Sequence, residues 1–435
     1  MRVVELDKES KKEVLATLQK RRFGGDEEIQ KIVDNIVADV RENGDEALIR
    51  LTEGLDGVKL TSDTFRVSRA EIEEAYKKVD DALIETIKKA TDNIRTYHEK
   101  QIRQTFITTR EDGVMLGQRI TPIERVGVYV PGGRAPLSSS VLMTVVPAKV
   151  AGVDKIVMMT PPSKDGSVTP EVLVAADISG CDEIYKIGGA QAIAALAYGT
   201  ETIPNVYKIV GPGNIFVTLA KKVVFGTVGI DSVAGPSEIL VLADETATPE
   251  YVACDLLSQA EHDPMSSAVL VTTDKKLAKK VEKLAYEYAA KQARREIIES
   301  SLNDWGFIIV AKDMNDAVEM VNDIASEHLE ILTKDNFEVM TRIRNAGAIF
   351  LGEYSCESLG DYFAGPDHVL PTCGTARFSS PLSVDEFIKK TSLISYSKEA
   401  LEEAHEDIIA FAKAEKLYSH ANSIAVRFGK EVTND

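Results

Sequence analysis

The sequence predicts an α/β protein: two βα sheet units of incomplete Rossmann-like type, with a helical N-terminal region ahead of them and a helical C-terminal tail behind. Three observations carry this. From residue 125 onward, short β-branched runs alternate with helical segments, the pattern of parallel strands covered by helices. Glycine, proline or serine clusters sit where each run meets its helix. Before residue 100 and after residue 375, by contrast, charged residues surround apolar ones at helical intervals.

In the N-terminal part, DEEIQKIVDNIVADVRENG repeats its apolar residues at helical spacing, and Gly44 supplies the stop. VGVYV then leads into PGGRAPLSSS and a helix, KIVMMT into PPSKDGSVTPEVLVAADISG, EIYKI into GGAQAIAALAYG, and YKIV into GPGNIFVTLAKKVV. Ligands of such sheets collect where strand C-termini meet helix N-termini. A second series uses SEILVLAD, AVLVTTD, FIIVAKD and AIFLGEY as strands. EYVACDLLSQAEHD and NDAVEMVNDIASEHLEIL read as helices between them, VDEFIKKT and KEALEEAHEDIIAFAKAEK as helices of the tail. That tail is too short to bury a core alone, so it must dock on its own body or on a partner subunit.

A chain of 435 residues is long enough for two to four domains at about 100 to 200 residues each. Apolar residues at 44% and charged ones at 28% describe a water-soluble globular protein. No run reaches the roughly 18 apolar residues that span a bilayer, and the N-terminus lacks a signal-peptide apolar block, so a cytoplasmic protein is expected, with no membrane partner. A net charge of −18 repels phosphate backbones, and the lysines of KKLAKKVEK (275–283) fall at helical spacing as a solvated face, so no nucleic-acid partner is expected. Cys181, Cys254, Cys356 and Cys373 are scattered without CxxC spacing and read as reduced thiols.

Six histidines are few for this length, which makes their neighbourhoods informative. His98 and His405 lie in charged helical segments and read as solvated. Gln259 and His262, three apart on a helix, share a face and could each give a ligand to a metal; a dipole-favoured histidine at a helix end is the plainer alternative. Glu327 and His328 at a helix end could divide acid and base roles, or form an exposed ion pair. Asp361 and His368 bracket the Gly- and Pro-rich loop SLGDYFAGPDHVLPTCGTARFSS, and both side-chain types suit zinc. Glu415 and His420 stand five apart, on nearby rather than identical helix faces. GGAQ (188–191) and GPGN (211–214) open helices whose amides could receive an anion, yet neither is the GxGxxG fingerprint.

Taken together, RVGVYVPGGRAPLSSSVLMTVVPAKVAGV, KIGGAQAIAALAYGT, KIVGPGN, AGPSEILVLAD, LLSQAEHD, SEHLEI, AGAIFLGEYSCESLGDYFAGPDHVLPT and YSHANS closely resemble the histidinol dehydrogenases, in order and over nearly the whole chain. The resemblance implies a zinc-dependent, NAD-linked enzyme that oxidises L-histidinol twice, through the aldehyde, to L-histidine. It implies Gln259, His262, Asp361 and His420 as zinc ligands. Ser237, Glu327, His328, Asp361, His368 and Glu415 would contact substrate together with the ligand residues Gln259, His262 and His420; Tyr129, Gln191 and Asn214 would contact NAD. It further implies a homodimer with intertwined tails, His420 and Glu415 completing the partner's site. The expected divisions are 1–24 as a helical arm, 25–124 with 238–375 as a discontinuous α/β domain carrying most of the site, 125–237 as the NAD-binding α/β domain, and 376–435 as the tail.

Within that resemblance, zinc positions the substrate, His328 is the base and Glu327 activates water for the aldehyde step. The rivals are oxidation of another small polar alcohol, a cysteine thiohemiacetal on Cys356 or Cys254, a zinc hydrolase using Glu327 or Glu261, and a non-catalytic binding protein.

Overall fold

The computed structural model describes residues 1–21, 27–132 and 137–433. Residues 1–102 with 123–387 form one unit, and residues 103–122 with 388–435 a second. The first unit holds two parallel sheets, so the α/β class stands.

The larger sheet runs, edge to edge, Arg2–Glu5, Phe307–Val310, Ser267–Thr272, Glu238–Ala243, His328–Leu332 and Ala348–Leu351, every pair parallel. Its central strands EILVLA and SAVLVT are buried throughout, as strands covered on both faces must be. Alternation divides them: Ile239, Val241, Ala268 and Leu270 pack into one core, Leu240, Leu242, Val269 and Val271 into the other.

The smaller sheet runs Glu183–Tyr185, Lys155–Met159, Arg125–Tyr129, Lys208–Val210 and Gly229–Ile230, again all parallel. The strand order reverses beside Arg125–Tyr129, which comes first in the chain and lies at the centre. Its faces also separate, Val126, Val128, Ile156 and Met158 to one core and Tyr129, Val157, Met159 and Tyr185 to the other. The helices Glu27–Leu51 and Asp81–Glu99 cover this sheet: Val33, Val37 and Leu48 join one of its cores, Ile84, Ile87 and Ile94 the other. Asp80 caps the second helix by accepting from Ala82 N at 2.7 Å. Gly44, at φ +49°, breaks the first helix, which resumes at once.

The second unit is an antiparallel sheet in the order Ile388–Ser395, Met115–Pro122, Phe106–Thr109, followed by the helices Lys398–Ala414 and Tyr418–Ala425. No helix among the described residues is long and apolar enough to cross a membrane.

Several elements differ from the sequence expectation. Arg2–Glu5 is a strand inside a region expected to be helical; its β-branched Val3 and Val4 pair with Phe307–Val310, a tertiary partner that local periodicity does not report. NDAVEMVNDIASEHLEIL is two elements, because the helix stops at Ile324, Ala325 adopts φ +54°, and His328–Leu332 enters the sheet. Asp361 lies on the short helix Glu357–Tyr362, not in a loop. VDEFIKKT is a 3-10 turn, Val384–Phe387, running into the strand Ile388–Ser395. Glu415 and His420 do not share a helix, since Lys416 at φ +60° separates them. His98 and His405 are buried, not solvated: His98 packs beside Asp367, and His405 lies against the Phe428 ring at 4.7 Å.

Candidate active site

A cavity of about 680 Å³ opens in the first unit, a size suited to small organic ligands. His328, Asp361 and His368 line it with Asp367, Tyr97, Gln101 and Phe350.

His328 begins an interior strand of the larger sheet, so its backbone is fixed by ladders to Ile239 and Ala348. Its Nδ1 lies 3.0 Å from Glu238 O, and because a carbonyl only accepts, Nδ1 carries the proton. Nε2 then faces Asp361 Oδ1 at 3.5 Å, an ionic contact without hydrogen-bond geometry, which leaves that buried nitrogen unpaired. The His368 ring also stands near this carboxylate, its Nδ1 4.0 Å from Asp361 Oδ1 and 3.1 Å from Asp361 O. Burial alone would lower the His328 pKa, but the carboxylates of Glu327 and Asp361 outweigh it and raise it to about 10. Burial opposes the charge on Asp361 as well, yet His328 and His368 hold its carboxyl well below the ordinary range.

Glu327 is buried one residue before the strand. Its Oε2 accepts from Glu238 N at 2.8 Å, and its own N donates to Glu238 Oε2 at 3.3 Å. Burial pushes its pKa up to about 8, opposed by the neighbouring His328 imidazole.

Gln259, near the end of the helix Pro249–Ala260, is buried and donates from Nε2 to Glu357 Oε1 at 2.6 Å. Its Oε1 has no hydrogen-bond partner. His262 lies past the helix, exposed, in electrostatic reach of Asp361, His328 and His368. Ligand atoms of His328, Glu357 and Asp361 lie within 4.8 Å of one another. Buried polar atoms are nearly always paired, so the bare Gln259 Oε1, one hydrogen bond from Glu357 in the cluster that includes Asp361, fits an oxygen-accepting cation such as zinc.

The structure therefore gathers His328, Asp361, His368 and Glu327, with Gln259 joined to them through Glu357 and His262 at the margin. Ser237 immediately precedes the strand of Glu238, its carbonyl tied to Arg21 and Ser267 N. Glu415 and His420 belong to the second unit.

Three residues of the smaller sheet lie on its glycine joints. Tyr129 ends the central strand and its hydroxyl accepts from Gly189 N at 3.0 Å, while burial raises its pKa to about 12. Gln191 is buried on the next helix turn with Oε1 unpaired. Asn214 caps the helix Ile215–Val224, Oδ1 accepting from Val217 N at 3.1 Å. Residues 133–136 of the PGGRAP joint lie outside the described residues.

Sequence reasoning passed over Glu357, Glu238, Glu330 and Asp255. Glu330 stands two residues from His328, and its Oε1 accepts from the backbone N of Glu357 at 2.7 Å. Burial raises the pKa of Asp255 to about 6 and of Glu357 to about 7, and lifts Glu330 well above the ordinary range. The usable signal was Glu357 four residues before Asp361, the same face of a helix. None of the four cysteines is among the cavity's lining residues, and burial lifts Cys181 to about 12.

A family model described as histidinol dehydrogenase matches residues 19–428. A histidinol dehydrogenase of Clostridium acetobutylicum is 53% identical over 412 residues, 95% of either chain. One of Bacillus subtilis is 54% identical, covering 94% of this chain and 96% of its own. The crystal structure of a histidinol dehydrogenase from Elizabethkingia anophelis superposes with a TM-score of 0.92 at 38% identity, covering 98% of both chains.

Proposed function

This chain belongs to the histidinol dehydrogenase family, and on that premise we propose that it oxidises L-histidinol through L-histidinal to L-histidine in two NAD-dependent steps, the last step of histidine biosynthesis. The observation that supports the chemistry best is the orientation of His328, whose Nδ1 is held by Glu238 O while Nε2 faces Asp361 on the cavity wall.

In this reading Gln259, His262 and Asp361 hold one zinc ion together with His420 supplied by the partner subunit of a homodimer. Bound there, zinc supplies a Lewis-acidic anchor for the imidazole and amine of the substrate, and NAD supplies the hydride acceptor. With Asp361 engaged as a ligand, His328 loses a carboxylate that holds its proton, and Nε2 takes up the alcohol proton as hydride leaves. Glu327 then accepts a proton from the water that hydrates the aldehyde, ahead of the second hydride transfer. Ser237, His368 and the partner's Glu415 hold the substrate. Tyr129, Gln191 and Asn214 place NAD at the carboxyl ends of the smaller sheet's strands, where strand order reverses and α/β sheets receive their ligands. The intertwined tail accounts for a second unit with so small a sheet, and the enzyme works in the cytoplasm.

The test is NADH yield. Purified enzyme supplied with limiting histidinol should form two NADH per molecule consumed, should lose activity on chelation and regain it with zinc. A preference for an amino alcohol lacking imidazole, or full activity after complete metal removal, defeats the reading.

A further inference from the structure

Gln259 is an unusual residue to offer a metal, because its side chain ends in one oxygen and one nitrogen that occupy nearly the same space. Only the oxygen binds a cation well. Something must therefore choose which atom faces the site.

Glu357 is placed to choose. It opens the helix Glu357–Tyr362 and is 3% exposed. Its backbone is held by Glu330 Oε1, which accepts from Glu357 N at 2.7 Å. Its carboxylate oxygens are both directed, Oε2 accepting from Ser358 Oγ at 3.3 Å and Oε1 from Gln259 Nε2 at 2.6 Å. The Glu357 oxygen that faces Gln259 is an acceptor, so the amide nitrogen of Gln259 turns toward it and the oxygen away. That oxygen, on a side chain 1% exposed, is left without any partner. An unpaired buried carbonyl oxygen is costly unless something binds it.

We propose that Glu357 is a positioning residue for the metal: by accepting from Gln259 Nε2 it fixes the amide so that Oε1 is the atom offered to zinc. The inference rests on the zinc reading above. It assigns Glu357 a role one contact removed from the ion, although its own carboxylate lies within 4.8 Å of the ligand atoms of His328 and Asp361.

A mutant cycle read by zinc affinity tests it, using the full-length protein stripped of metal and titrated with zinc against a chelating fluorophore. Glu357→Gln presents an amide that can donate or accept and no longer dictates the flip, and Glu357→Ala removes the acceptor. Each should weaken zinc by about 10- to 100-fold, the usual scale for outer-shell partners. Gln259→Glu supplies an oxygen in either flip, so it should improve zinc binding at least about tenfold more when combined with Glu357→Gln than when made alone in the native chain. Near-UV circular dichroism confirms folding of each variant. If the stripped native protein takes up no zinc, the zinc reading itself falls. If it binds zinc and either folded Glu357 variant binds as tightly, or if Gln259→Glu has the same effect in both backgrounds, Glu357 does not orient the amide.

Discussion

Arg21 and Glu238 form a buried ion pair, Nη1 to Oε1 at 2.7 Å, with the guanidinium wholly inaccessible to solvent. All five of its N–H groups are engaged: Nε with Met265 O, Nη1 with Glu238 and Ser267 Oγ, and Nη2 with the carbonyls of Pro236 and Ser237. Glu238 in turn exchanges two hydrogen bonds with Glu327. The N-terminal arm thus reaches the candidate site through one charged relay. Arg21→Met leaves the Glu238 carboxylate buried without its counter-charge, and should cost about 3–5 kcal/mol of stability. Urea unfolding measures it; a loss below about 1 kcal/mol would show the relay to be dispensable.

Glu327 and His328 are adjacent in sequence but held by different contacts, which allows their roles to be separated kinetically. His328→Gln should slow the first hydride step, because the base is gone. Glu327→Gln should slow oxidation of supplied histidinal by about 10²–10⁴-fold, the range for general acid–base groups, and slow histidinol oxidation less. Single-turnover NADH formation with each substrate reads the split. Equal losses for both substrates in Glu327→Gln would remove the water-activating role.

The sequence was most readable where local chemistry and tertiary context agree. VGVYV, KIVMM and EILVLA are β-branched runs and become buried parallel strands. His328 was recognisable as a chemical group but not as a strand residue, since SEHLEI continues a helical period and only pairing with Glu238–Ala243 and Ala348–Leu351 overrides it. Arg21 was not legible at all, and Glu357 only as a helix neighbour of Asp361. Their significance lies in contacts across 98 residues to Gln259 and 217 residues to Glu238, and no spacing rule spans such separations.

The GPGN joint yields a backbone test. Gly211 adopts φ +114°, and a Cβ there would stand 2.2 Å from Tyr129 O, a backbone atom that cannot step aside. Asp231 accepts from Gly211 N at 2.8 Å and Lys221 donates to Gly211 O at 3.0 Å, so the strained turn is held on both sides. Gly211→Ala should cost about 1–3 kcal/mol and raise the KM for NAD more than that for histidinol. Unchanged stability and KM values would mean that the joint tolerates a side chain and does not place the cofactor.

His98 and Asp367 meet in the interior with Nε2 and Oδ2 3.8 Å apart, both atoms without a hydrogen-bond partner. Burial lowers the His98 pKa below 6.5, opposed by the contact of Nδ1 with Gln101 at 2.8 Å. Burial raises Asp367 well above 3.8. The signs differ. Below about pH 6.5 the unfolded chain takes up a proton that folded His98 refuses, so this group removes stability as pH falls. Above about pH 3.9 the unfolded chain releases a proton that folded Asp367 retains, so this group removes stability as pH rises toward its folded pKa. His98→Gln should therefore flatten the fall in urea midpoint between about pH 7.5 and about pH 5.5. Asp367→Asn should gain on the native protein at about pH 8 relative to about pH 5. Parallel pH profiles for the native chain and both variants would show that neither group titrates with the altered affinity that its burial demands.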